Sequence, residues 1–252
     1  KNTITISDDG RGIPIDKHPK KKKTALEVVM TTLHSGGKFN NSVYKSSAGL
    51  HGVGLSVVNA LSSKLNIKIT KNAKIFNQDY SKGKILNKLK LIGKNKIKNG
   101  TQITFTPDPE IFGKELSFNP EKIYELSKNK AYLQKGVKIN WECNRNLLNR
   151  KSQIPFKETL SFPKGLEEFL TNEIKQSNAL HEKICFQSGN FENNKGRIEF
   201  AIQFNKGKIR YGKAFCNTVY NMNGGTHDSG FRSGIAKSIR KYAKNKNNKI
   251  VS

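Results

Sequence analysis

The stretch Thr3-Ile4-Thr5-Ile6-Ser7-Asp8-Asp9-Gly10-Arg11-Gly12-Ile13-Pro14 carries the first decision about the fold. Residues 3–7 alternate isoleucine with small polar side chains, the period of a strand with one buried face. The strand then meets Asp8-Asp9-Gly10-Arg11-Gly12-Ile13-Pro14, a turn by composition. A carboxylate thus leaves a strand end beside glycines that let a flat ring approach the backbone closely. Such a carboxylate can accept a hydrogen bond from an exocyclic amine. An acidic turn of this type is by itself usually structural, so its meaning depends on its neighbours along the chain.

The next glycine-rich turn is Gly49-Leu50-His51-Gly52-Val53-Gly54, directly before the short apolar run Leu55-Ser56-Val57-Val58-Asn59-Ala60-Leu61. Glycines free the backbone so that successive N–H groups can converge on an anion, and a helix start adds a favourable partial charge. The pattern is neither the Gly-Lys-Ser/Thr of a P-loop nor the G-x-G-x-x-G of a dinucleotide fold. His51 has no acidic or nucleophilic partner near it in sequence, so backbone geometry is its expected contribution. Ahead of this turn, residues 35–49 form a loop rich in Gly, Ser and Asn that contains Gly36-Gly37-Lys38-Phe39 and Tyr44-Lys45. A flexible lysine and a tyrosine hydroxyl in such a loop can close over phosphates as a lid. Downstream, Gly100-Thr101 opens a strand, and a threonine hydroxyl is suited to share a water with a base edge.

Around these motifs the chain reads as an α+β protein. Leu26, Val29, Met30 and Leu33 recur at helical spacing. Strands are expected over 65–70, 74–80, 85–91 and 101–106, a helix over 119–133 and a strand over 137–142. Together they make a sheet with helices on one face. The polar, basic stretch 144–153 suggests a boundary, giving domains 1–152 and 153–252. The second carries a helix over 166–174, strands over 197–204 and 208–215, and a helix over 229–243 that comes after Asn223-Gly224-Gly225-Thr226-His227.

Composition sets limits. The formal charge is +27 over 252 residues, with 39 lysines against 7 arginines. That suits a polyanionic partner, and equally an A/T-rich genome, since Lys and Asn share A/T-rich codons. Cys143, Cys185 and Cys216 are far apart with no C-x-x-C pair, which argues against zinc and fits reduced thiols in a cytoplasm. No run approaches the length of a membrane span. The start, Lys1-Asn2-Thr3, shows no initiator Met and no signal-peptide pattern, and reads as the middle of a protein.

In this order and spacing the motifs resemble the ATP-binding fold shared by gyrase, the Hsp90 chaperones, histidine kinases and MutL proteins. The fuller set is similar to the B subunits of bacterial type II DNA topoisomerases. That set is Asp8-Asp9-Gly10-Arg11-Gly12-Ile13-Pro14, then Leu33-His34-Ser35-Gly36-Gly37-Lys38-Phe39, then Gly49-Leu50-His51-Gly52-Val53-Gly54 and the run to Leu61. Gly224-Gly225-Thr226-His227 and Gly230-Phe231-Arg232 extend the likeness through the second part. The segments 105–112, 130–133, 136–139 and 189–191 look more like the topoisomerase IV branch than the gyrase branch.

The resemblance implies a gyrase/Hsp90-type (GHKL) ATP-binding sandwich followed by part of a ribosomal S5-like α+β transducer. It implies ATP with Mg2+ as cofactors. Asp8 would receive the adenine amine, with Thr101 and Gly12 helping through water. Arg11, Ile13 and Pro14 would line the outer edge of the base pocket, and Lys38 and Tyr44 would reach the phosphates. The backbone of Gly49, Leu50, His51, Gly52, Val53 and Gly54 would wrap the triphosphate. Ala48 stands where the family usually has another glycine. The family's general-base glutamate and magnesium-binding asparagine are expected before Lys1, and its transducer lysine after Ser252. Implied partners are double-stranded DNA, a DNA-cleaving A subunit in a heterotetramer, and a second B subunit on ATP binding. The alternatives are a chaperone or repair ATPase of the same superfamily, or a basic DNA-binding module without catalysis.

Overall fold

The structure, a computed structural model, describes residues 2–18, 22–35, 51–94, 98–149, 152–174, 179–192, 196–206 and 212–246. By contacts the chain divides into Lys1–Asn119 and Pro120–Ser252, each with a hydrophobic cluster of its own.

In the first unit the order is β1 (Ile4–Asp8), α1 (Ala25–Thr31), α2 (Gly54–Ala60), β2 (Ser62–Lys71), β3 (Lys74–Ser81), β4 (Lys84–Ile85), β5 (Lys90–Lys94), β6 (Gly100–Pro107) and α3 (Pro109–Phe112). The described strands form one antiparallel sheet ordered β1-β6-β2-β3-β4, with β5 also pairing β3. Alternation along β2 buries Leu65, Ile67 and Ile69, which pack with Leu26 and Met30 of α1 and Tyr80 of β3. Leu55 and Val58 of α2 and Ile103 and Phe105 of β6 complete this layer. The other face of the sheet is polar: the Thr3 and Thr5 hydroxyls bond those of Thr106 and Thr104.

The first turn of α1 is wired into the sheet. Thr24 and Glu27 form a reciprocal capping box. The second oxygen of Glu27 accepts from the fully buried Gln78 amide at 3.1 Å, and Gln78 Oε1 accepts from the Tyr80 hydroxyl at 2.8 Å. Burial, with the Glu27 charge added, pushes the Tyr80 phenol up, so its hydroxyl stays protonated and donates.

The expected strand over 85–91 is instead two short strands. Asn87 explains the break. Its amide donates to Asp79, its side-chain oxygen accepts from the Asp79 N–H, and its carbonyl accepts from Gln78. Asn87 is thereby held as a turn clamp rather than a ladder residue. Partial burial opposes ionisation of Asp79, yet the amides of Asn66, Asn87 and Asn77 hold its carboxyl below the ordinary range.

The second unit contains α4 (Pro120–Leu133), β7 (Ile139–Glu142), β8 (Lys157–Leu160), α5 (Leu166–Glu173), β9 (Cys185–Asn190), β10 (Arg197–Ile202), β11 (Phe215–Cys216), β12 (Val219–Tyr220) and α6 (Thr226–Asn245). Its described strands pair as β7–β8, β9–β10 and β11–β12. Ala131 of α4 is buried with Trp141 and Leu160, and the Tyr132 ring stacks on Phe162 with centroids 3.6 Å apart. These contacts carry residues 120–152 with the second unit, so the geometric division falls at Asn119/Pro120 rather than at the expected 152. Strand β9 has no counterpart among the expected elements, and residues 208–211 of the expected strand 208–215 lie outside the described residues.

Gly100 opens β6 where that strand crosses the end of β1. A Cβ there would stand 2.1 Å from the Asp8 carbonyl oxygen, with Asp8 C and Asp9 Cα also in contact. Backbone atoms cannot yield as a flexible side chain can. Gly100→Ala is therefore expected to lower stability by about 1–3 kcal/mol, read as a fall in the urea midpoint. An unchanged midpoint would contradict this close approach.

Candidate functional site

Strand alternation places the candidate residues. On β1, Ile4, Ile6 and Asp8 share a face, and their register partners on β6 are Phe105, Ile103 and Thr101. Ile69 of β2 pairs with Thr101 in turn. The apolar layer therefore ends in a carboxylate and a hydroxyl side by side, brought together from the two ends of the unit. Thr101 is buried, and its Oγ1 accepts from the Ile13 N–H at 3.2 Å, across 88 residues of sequence. The hydroxyl proton of Thr101 stays available to donate. Gly12, at φ +74, runs so close to the strands that a Cβ would lie 3.3 Å from the Gly100 and Thr70 carbonyl oxygens and from the Ile69 side chain. The Asp8 carboxylate is exposed, and its Oδ1 accepts from the Gly10 N–H at 2.9 Å, an Asx turn that orients the group and leaves Oδ2 for a ligand. Ile13 packs against the core, while Arg11 and Pro14 flank it in the same turn.

The glycine turn lies between the two helices that cover this face. Gly52 has φ +63, Val53 is in the right-handed region, and Gly54 begins α2. A Cβ on Gly54 would meet open space among the described residues. Asn59 of α2, fully buried, donates to the Met30 carbonyl of α1 at 2.9 Å and ties the two helices together. His51 is exposed, and its carbonyl accepts from His34 Nδ1 at 2.9 Å. Lys38, Tyr44, Gly49 and Leu50 lie outside the described residues.

The structure thus brings Asp8, Gly12, Ile13 and Thr101 together, and sets Gly52, Val53 and Gly54 at the head of α2. Two residues named in the sequence motifs have contributions that only the structure reveals. His34 adopts φ +58 and reaches His51, and Gly100 is required by steric exclusion rather than by a turn. In the second unit, Gly224 and Gly225, at φ +69 and +154, lead into α6 at Thr226 and His227. Asp228 pairs with Arg232 one turn on. Among the described residues no group of three His, Cys, Asp or Glu stands close enough to hold a metal ion. No described helix is long and apolar enough to cross a membrane.

Comparison with known proteins places this geometry. Residues 1–111 match the family described as histidine kinase-, DNA gyrase B-, and HSP90-like ATPase. Residues 165–251 match DNA gyrase B. The chain is 48% identical to the B subunit of DNA topoisomerase 4 from Rickettsia felis over 98% of its own length, and spans 37% of that relative. It is 38% identical to the B subunit of DNA gyrase from Campylobacter jejuni over its full length, and spans 32% of that protein. Among solved structures, the 43K ATPase domain of Thermus thermophilus gyrase B in complex with an aminocoumarin superposes with a TM-score of 0.77 at 31% identity, covering 100% of this chain and 62% of that one. With both matches and these relatives in agreement along the chain, it belongs to the family of bacterial type II DNA topoisomerase B subunits.

Proposed function

We propose that this chain binds ATP as the nucleotide-operated part of a type II topoisomerase. The observation that carries the proposal is the cross-strand pair Asp8 and Thr101 at the polar end of the core face, with Gly12 and Ile13 closing against it. Asp8 receives the adenine amino group on its unshared oxygen. The Thr101 hydroxyl and the close-running backbone at Gly12 share a water with the base edge. Arg11, Ile13 and Pro14 flank the ring. The backbone of Gly49, Leu50, His51, Gly52, Val53 and Gly54 wraps the phosphates, and Lys38 and Tyr44 reach them from the loop. Mg2+ would accompany the nucleotide at this site as its counter-ion and neutralise phosphate charge.

In the whole protein, ATP binding brings two B subunits together and traps a DNA duplex, while an A subunit cleaves the duplex it passes through. The setting is the bacterial cytoplasm. The higher identity to a topoisomerase 4 relative than to a gyrase relative supports the topoisomerase IV branch. The match of residues 165–251 to DNA gyrase B keeps gyrase as the second reading. With the A subunit, decatenation without negative supercoiling distinguishes the first from the second. A boundary between the two functional modules falls between residues 111 and 165, where the first family match ends and the second begins.

Asp8→Asn preserves the side-chain oxygen that accepts from Gly10, so the turn should survive while the charged acceptor is lost. ATP affinity is expected to fall roughly ten- to a hundredfold by calorimetry. Unchanged affinity in the folded variant would remove Asp8 from the base pocket. Gly54→Val adds bulk where the fold itself leaves room. It is expected to abolish nucleotide binding while the far-ultraviolet circular dichroism stays the same, and normal binding would show the turn to be structural only. A polypeptide of residues 1–252 is expected to bind nucleotide without steady turnover, because general-base assistance is worth about 10²–10⁴-fold. Sustained hydrolysis that disappears in Asp8→Asn would place the base within these residues.

A further inference from the structure

We infer that His34 is a positioning residue for the phosphate-binding turn: its imidazole locks the peptide plane between His51 and Gly52 and so aims the Gly52 N–H at the nucleotide's phosphates. This rests on the nucleotide-binding function proposed above and assigns a role to a side chain outside its contact set.

Three observations carry it. First, His34 is held on a fixed base. It comes just after α1 with φ +58, a left-handed conformation uncommon for non-glycine residues and one in which His, like Asn and Asp, is enriched. The next residue, Ser35, is pinned back onto the helix end, its hydroxyl lying 2.9 Å from the Val28 carbonyl and 2.6 Å from that of Thr32. Second, the imidazole makes a directed contact. His34 Nδ1 lies 2.9 Å from the His51 carbonyl oxygen. A carbonyl only accepts, so Nδ1 carries the proton.

Third, the contact falls at the one peptide unit that matters. In a planar trans peptide the C=O of one residue and the N–H of the next point in opposite directions. Fixing the His51 carbonyl toward α1 therefore turns the Gly52 N–H to the opposite side. Gly52 at φ +63 followed by Val53 in the right-handed region is the alternation in which successive N–H groups form an anion-binding concavity. Without the imidazole this peptide is free to flip, since Gly52 has no side chain to resist it. His34 would then act through His51 and never touch the nucleotide.

The test compares ATP with adenosine, because a peptide-plane lock acts on phosphate and not on the base. The protein at its full natural length is titrated with each ligand, as wild type and as His34→Gly, His34→Gln and His34→Asn. Glycine keeps the backbone conformation without a donor. Glutamine carries its amide where Nε2 was. Asparagine places an amide N–H where Nδ1 was and accepts the positive φ. His34→Gly and His34→Gln are expected to weaken ATP about three- to tenfold and to leave adenosine unchanged. His34→Asn is expected to restore most of the ATP affinity. Should His34→Gly fail to fold, the Gln and Asn pair decides alone. ATP binding as tight as wild type in His34→Gln, or equal losses for ATP and adenosine, would overturn the role. Wild-type protein that binds ATP no better than adenosine would instead refute the phosphate-binding turn itself, and this inference with it.

Discussion

The pairing of β1 with β6 is the constraint on which the rest of the first unit depends. It joins Ile4 to Phe105 and Asp8 to Thr101 in unbroken antiparallel register. Because side chains alternate with a period of two, a slip of one residue would turn Asp8 to the polar face and away from Thr101. The position of the carboxylate is therefore enforced by the register with β6, whose Ile103 and Phe105 pack against the core on the same face. Gly100 sets how near the strands come at this end, where the Asp8 carbonyl occupies the space of a side chain. A site assembled this way needs no long-range signal in the sequence beyond a correctly patterned strand pair.

The helices above the sheet are placed by a second set of contacts, polar and buried. The capping box of α1 continues through Glu27 into Gln78 and Tyr80 of β3. From the other end of α1, the Met30 carbonyl receives the amide of Asn59 in α2. The turn that begins α2 thus inherits its position from the sheet through two helices, with the His34 contact at its start. Buried polar groups of this kind are costly when unpaired. Pairing Gln78 on both of its side-chain ends makes this arrangement more favourable than alternatives that shift α1 along the sheet.

Much of this was legible in the sequence. The alternation of residues 3–7, the apolar spacing that starts at Leu26 and the glycine turn before Leu55 each state a local structure in their own composition, although Leu33 falls beyond the end of α1 and is exposed. The features that escaped depend on tertiary contacts. Residues 84–94 have the apolar content of one strand, and only the cross-strand bonds of Asn87 to Asp79 divide it. Strand β9, Cys-Phe-Gln-Ser-Gly-Asn, lacks alternation and takes its form from pairing with β10. Helix α4 reads as a continuation of the segment before it, yet Ala131 and Tyr132 pack onto partners that come later in sequence. In the candidate site, Asp8 and Thr101 were legible as types of group, and their adjacency came only from the register. His34 was legible only as a member of the motif from Leu33 to Phe39, and its contact with His51 depends on a backbone conformation that the motif does not announce.

The central claim is that the end of the β1–β6 face is a base pocket, and it is tested most directly by the structure of this protein crystallised with a non-hydrolysable ATP analogue. In that crystal the exocyclic amine of adenine is expected about 3 Å from the Asp8 carboxylate. A water linking the base to the Thr101 hydroxyl is expected too, with phosphates against Gly52 and Gly54. A nucleotide bound with its base away from Asp8, or seated elsewhere on the chain, would contradict it.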